Sequence, residues 1–239
     1  MAKKKDQTEE QLASVEEALG KTEQFIETNK KNISYVIGGI IALVLLVMGY
    51  NKYIAKPKEL NAFNTIYSAE QYFEADSFRL ALDGDGMHAG FLSIIDDFGG
   101  TKTGNLANYY AGICYMHLAE QDTTAVAQEY YQNAIDYLSD FSSDDELIAP
   151  MAYGAMGDAY DQLDEPENAV EYYEKAVEAS NNEFTAPIFL MKAGRLYSAM
   201  EEHEKALEMF TRIKNDFYTS PQGREIKKFI SREEALSGK

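Results

Sequence analysis

A chain of 239 residues, 45% hydrophobic and 26% charged, has room for one or two folded domains. Its formal net charge of −18 excludes a nucleic-acid binder, because phosphate recognition needs clustered Lys and Arg. Its one cysteine, Cys114, excludes an internal disulfide and a thiolate-built metal site, and reads as a small core hydrophobe between Ile113 and Tyr115. The charge is uneven along the chain. Residues 1–32 carry 6 Lys against 7 acids, whereas residues 55–239 carry 15 basic against 33 acidic residues. The acidity therefore belongs to the part after the hydrophobic segment. It favours basic or unfolded partners and should hold that part off anionic headgroups.

Residues 1–32 read as a hydrophilic, partly helical tail. Thr8-Glu9-Glu10-Gln11 is a capping-box pattern that places a helix start there. Leu12, Val15, Leu19, Thr22, Ile26, Asn29 and Ile33 follow at alternating spacings of three and four, a heptad seam with two polar positions. A short coiled-coil dimer and a lone amphipathic helix both fit it.

Ile33 to Tyr50 reads ISYVIGGIIALVLLVMGY, without a charge. Extended to Ile54, with Lys52 snorkelling, it reaches about 33 Å at 1.5 Å per residue, enough to cross a bilayer. Tyr35, Tyr50 and Tyr53 stand near its ends, where aromatic rings favour the interface. A signal peptide is disfavoured by the hydrophilic lead of some thirty residues, the length of the apolar stretch and the lack of a small-x-small cleavage site. Residues 33–54 are therefore expected to be a retained transmembrane helix in contact with lipid. Six Lys precede it and Lys52, Lys56 and Lys58 follow, a bias that favours a cytoplasmic N-terminus. Gly38 and Ala42 form a small-xxx-small pair, which leaves a homodimer open.

Residues 55–239 read as an all-α repeat domain. Gly157, Tyr160, Ala169 and Tyr173 recur 37 residues later as Gly194, Tyr197, Ala206 and Phe210. The spacing Gly-x2-Tyr-x8-Ala-x3-aromatic belongs to a helix-turn-helix unit that stacks into a solenoid. Gly admits a close helix crossing, the first aromatic fills the gap, Ala sits at the tightest point, and the second aromatic meets the next unit.

A degenerate first unit runs from Glu59 to about Phe98, with Tyr67, Ala69, Tyr72 and Phe73 on one helix. Phe91, Leu92, Ile94 and Ile95 lie on its partner, and Asp83-Gly84-Asp85-Gly86 is the turn between. That turn fails as a calcium loop, since positions five and twelve from Asp83 are Met87 and Ile94. Gly112 and Tyr115, then Ala134 and Leu138, place the two helices of a second unit. About ten extra residues separate them, near Glu120–Glu129 with a tip at Gln121–Thr124. A longer loop and an extended second helix both account for these. In the third unit the first helix starts near Pro150, and Asp164-Glu165-Pro166-Glu167 opens the second with Asp164 as its cap. Thr185-Ala186-Pro187 opens the fourth, and Ser220-Pro221 opens a last helix with a charged, solvated capping face.

Catalytic signatures are missing. There is no H-E-x-x-H, no P-loop and no G-x-S-x-G, and the carboxylates fall at helix-surface spacings. No enzyme activity, cofactor or metal is expected.

These units resemble the tetratricopeptide repeat family, well over 105–220 and poorly over 59–100. The layout, with Ala107-Asn108-Tyr109-Tyr110-Ala111-Gly112 and Ala149-Pro150-Met151-Ala152 ahead of Gly157-Asp158-Ala159-Tyr160, is similar to YfgM-type ancillary subunits of the Sec translocon. The resemblance implies an inner-membrane protein of Gram-negative bacteria with a periplasmic repeat domain. The partners it implies are Sec translocon subunits, secreted chains or periplasmic chaperones. A homodimeric envelope-assembly scaffold and a cytoplasm-facing adaptor stay open beside it. Tetratricopeptide grooves bind protein through concave positions of first helices. Carried over, these are Tyr109, Ile113 and Met116; Met151, Asp158 and Asp161; and Ile188, Met191, Arg195 and Ser198. The Lys, Asn and Arg set that grips a peptide C-terminal carboxylate is absent from them. Met and Tyr there give an adaptable, partly apolar surface.

Overall fold

The structure is a computed structural model. It describes the backbone of residues 2–238 and the side chains of Gly20, Gln24 and residues 27–238. It divides into two compact units, 1–57 and 58–239. Among the described residues it is helical, with no strand and one isolated bridge between Gly84 and Ala89.

In the first unit, helix α1 spans Ala2–Tyr50 and a π-helical turn spans Asn51–Ala55. The helix starts ahead of the Thr8 capping box, since Ala2 to Gln7 are mostly good helix formers. The heptad side chains from Leu12 to Ile26 lie outside the described residues. The helix from Glu27 holds an 18-residue window of mean hydropathy 2.3, none of it buried. It is long and apolar enough to cross a membrane by length and composition.

The second unit is a tetratricopeptide-type solenoid of helix pairs. Its helices are α2 (Lys56–Glu74), α3 (Phe78–Asp83), α4 (Phe91–Phe98), α5 (Lys102–Gln121) and α6 (Val126–Asp140). Then come α7 (Ile148–Gln162), α8 (Pro166–Ala179), α9 (Ala186–Ala199), α10 (His203–Asp216) and α11 (Pro221–Leu236). Each of the later pairs is closed by a Gly on the first helix against one side chain of the second. A Cβ on Gly157 would stand 2.6 Å from the Tyr173 ring, on Gly194 2.5 Å from Phe210, and on Gly112 2.5 Å from Leu138. Leu138 thus occupies the slot of the second aromatic in the second unit. That aromatic also reaches the next unit, Tyr173 stacking on Phe189 at 6.3 Å and Phe210 meeting Phe229 at 5.3 Å.

The turn inside the pairs repeats as well. Asp76, Asp164 and Glu201 all adopt positive φ. The next amide then donates back to the C=O of Tyr72, Tyr160 or Tyr197, a Schellman-type closure. Asp164 is therefore the left-handed turn residue, and Glu165 is the N-cap, ahead of Pro166 at the first position. The same turn at Asp76 sets the first unit's register: Ala69, Tyr72 and Ala81 take the places of Gly157, Tyr160 and Ala169. Its second helix is thus α3, broken after Asp83 and resumed as α4. The Asp83–Gly86 turn interrupts that helix instead of joining the pair. Gly84, with φ of +82°, ends α3, and a Cβ there would clash with the His88 carbonyl at 2.3 Å.

The extra residues of the second unit are shared. α5 continues nine residues past Gly112, where α7 stops five past Gly157; α6 starts eight residues ahead of Ala134, where α8 starts three ahead of Ala169. Both helices gain a turn and the loop stays short, because added turns keep backbone groups bonded where a long loop would not.

Candidate functional site

The first helices α5, α7 and α9 carry every residue expected to line a groove. Their 37-residue offset survives as geometry on α7 and α9, where Met151, Asp158 and Asp161 take the same helix positions as Ile188, Arg195 and Ser198. These residues share a helix face because they recur every seven or three positions.

They do not all reach solvent. Met116 is buried in the core with Ala119, Tyr131 and Met156 and is not a groove residue. Tyr131, three residues ahead of Ala134 as Pro166 is ahead of Ala169, packs in the same cluster. Tyr109 is half-buried, tilted against Phe141 at 5.3 Å, and Ile113 packs on the same cluster. Burial pushes the Tyr109 phenol above its ordinary pKa. Ile188 and Met191 are half-buried against the cluster formed by α8 to α11. Ser198 is engaged within the fold, donating to Glu233 of α11 at 2.7 Å.

Met151, Asp161 and Arg195 remain exposed. Asp158, Asp161 and Arg195 meet with Tyr173, Lys192 and Leu196 around one open concavity of about 360 Å³ between α7 and α9. At its floor the Tyr173 hydroxyl donates to Asp158 Oδ1 at 2.7 Å, and Lys192 Nζ donates to Asp158 Oδ2 at 2.7 Å. Burial, and then the neighbouring Asp158 carboxylate, push the Tyr173 phenol well above its ordinary pKa, so it stays a protonated donor. Arg195 lies over the Phe229 ring at 5.8 Å. The concavity thus offers the Asp161 carboxylate, the exposed Arg195 guanidinium beside Phe229, and the exposed thioether of Met151 on the same helix face as the acids. Polar ends in register along a helix pair can align an extended or helical peptide by its charges.

Lys192 and the Tyr173 hydroxyl were not legible as site residues. Their signal was available: Lys192 lies one helical turn before Arg195, the offset partner of Asp158. The chain also repeats a capping device. Phe-x2-Thr/Ser-x2-Gly occurs at 98–104 and 217–223. In both, the hydroxyl donates to the Phe carbonyl and accepts from the Gly amide, starting α5 and α11. Among the described residues no group of three or more His, Cys, Asp and Glu could hold a metal.

Residues 152–183, from α7 to just past α8, match the model of the tetratricopeptide repeat. Solved structures similar to this chain include the MamA protein, at 17% identity and TM-score 0.49, over 76% of this chain and 92% of that one. A putative kinesin light chain from Podosopora anserina with nearly identical TPR-like repeats aligns at 13% identity and TM-score 0.49, over 78% and 90%. A thermophilic TPR protein of Thermus thermophilus aligns at 14% identity and TM-score 0.39, over 77% and 100%. No curated protein matches.

Proposed function

We propose that the chain is a membrane-anchored protein-interaction module. Residues 33–54 hold it at a bacterial inner membrane with the N-terminus cytoplasmic, and the repeats recruit protein segments on the outer side. The observation that carries the reading is the concavity between α7 and α9, where exposed Asp161 and Arg195 stand beside the Asp158–Lys192 pair. Tetratricopeptide-type folds present such first-helix surfaces to protein partners, which supports binding over chemistry. The span raises the effective concentration of the groove beside membrane complexes. The likeness of the layout to YfgM-type subunits supports the Sec translocon and its emerging chains as the complex served. The surplus of acids over 55–239 steers basic segments toward the groove, so added salt slows association.

Photo-cross-linking in intact cells tests this, with a photoreactive residue in place of Asp161 or Met151, both exposed. Capture of translocon subunits together with many secreted chains is expected. One or two fixed envelope proteins would replace the translocon with a scaffold role. Capture of cytosolic proteins alone would reverse the orientation.

A further inference from the structure

Helix α2 is apolar on two sides. Ala62, Ile66 and Ala69 are buried toward the repeats. On another face Leu60, Phe63 and Tyr67 are 60%, 66% and 64% exposed, at positions i, i+3 and i+7. Further along, that outer face turns polar with Gln71 and Glu74. The stripe is thus confined to the turns nearest the apolar span and fades with distance from it.

Chain length limits what can cover the stripe. Leu60 follows Ile54 by six residues, about 9 Å if helical and about 20 Å if fully extended. The headgroup layer lies within that reach. The local charge also reverses the domain's overall sign. Lys52, Lys56 and Lys58 precede the stripe, and after Glu27 as far as Tyr67 the one acid is Glu59. Glu59 is engaged elsewhere, accepting from the Lys102 and Thr103 amides and the Thr103 hydroxyl at the start of α5. A second copy is the weaker occupant. At about 200 Å² per large side chain, the exposed parts come to roughly 400 Å². Symmetric pairing would then bury about 800 Å², short of the ~1,200 Å² of a stable dimer.

We propose that Leu60, Phe63 and Tyr67 seat in the headgroup layer of the bilayer crossed by residues 33–54, with Lys52, Lys56 and Lys58 against anionic lipid phosphates. The stripe then serves as a lipid-facing foot on α2. This rests on the membrane-anchored reading above.

The chain contains no Trp, so single reporters are clean. The full chain is reconstituted in phosphatidylcholine–phosphatidylglycerol vesicles as Phe63→Trp, as Val44→Trp in the span, and as Met87→Trp, whose native side chain is exposed. Headgroup nitroxide lipids should quench Phe63→Trp at least twofold more than Met87→Trp, and the Leu60→Gln/Tyr67→Gln background should abolish the difference. Acyl-chain bromolipids should quench Val44→Trp. Quenching of Val44→Trp with equal, weak quenching of the other two overturns the foot and keeps the anchor. An unquenched Val44→Trp removes the anchor and the foot with it. Shielding of Phe63→Trp from acrylamide without nitroxide quenching, growing with protein-to-lipid ratio, would assign the stripe to a second copy and overturn the lipid contact.

Discussion

Gly157 and Cys114 show how tightly single atoms are held in the solenoid. A methyl at 157 would lie 2.6 Å from the Tyr173 ring and 3.1 Å from the Ala169 carbonyl, and a backbone carbonyl cannot swing aside. Gly157→Ala should therefore cost about 1–3 kcal/mol, the usual penalty of overpacking. Gly100→Ala, with nothing within 4 Å, should stay within about 0.5 kcal/mol of the parent. Urea melts of the two variants in the same detergent decide it, and equal midpoints would refute the close-crossing account. Cys114 is fully buried between α5 and its neighbours, and burial pushes its thiol from 9.0 up to about 12. A raised folded value means that this contribution to stability is complete below pH 9 and drains as pH climbs toward 12. At pH 8 the thiol should react with a maleimide only as fast as the fold opens. Labelling at the rate of a free thiol would place it at the surface.

Whole helices depend on a few such groups. Glu233 of α11 is 1% exposed and accepts from the Ser198 hydroxyl and His203 Nδ1, each at 2.7 Å. It joins the last helix to both helices of the pair before it. Glu233→Ala should cost about 1–3 kcal/mol, since the Ser198 hydroxyl and the His203 ring lose a buried hydrogen-bond partner. Hydrogen exchange should rise in α11 and α10 while α7 and α8 hold, because each repeat leans on its neighbours alone. Uniform exchange through the solenoid would contradict that. In the broken second helix of the first unit, Asp85 accepts from the Tyr72 hydroxyl, His88 and the Met87 and His88 amides. Those bonds, the Tyr72 hydroxyl foremost, hold its carboxyl far below the ordinary 3.8. A depressed folded value means that the stabilisation is complete above that pH and is lost as pH falls below it. Acid titration should loosen α3 and α4 first, and Asp85→Asn should flatten the dependence. The third and fourth pairs were legible because four side-chain types recur at one offset. The first pair was misaligned because Ala69 replaces the diagnostic Gly, and because the Gly-rich break looked like the turn between helices. The start of α11 at Ser220 was legible, but its kinship with Thr101 was not, because Phe-x2-Thr/Ser-x2-Gly marks helix starts rather than the repeat core. The placement of the expected groove residues was legible only in part. Spacing fixed which residues share a face, but the burial of Met116 and the capture of Ser198 by Glu233 depend on neighbouring helices.

Across the molecule, charge sets two effects of opposite sign. The repeat segment holds 33 acids against 15 bases, and most of its ion pairs are exposed ones such as Lys175–Glu171 and Lys228–Glu225. Exposed pairs contribute little, so self-repulsion among the surplus acids opposes folding. Raising salt from 0.1 to 1 M shortens the screening length from about 10 to about 3 Å. Relief of repulsion worth about 1 kcal/mol would raise the melting temperature by roughly 2–4 °C. The same screening would weaken the proposed attraction of basic segments to the groove, so under that proposal association should slow over the salt range in which the fold gains stability. Melting curves and association rates measured on one preparation separate the two. Slower association beside a constant or rising melting temperature assigns the loss to steering, whereas a falling melting temperature would trace it to the fold and remove the electrostatic account of recruitment.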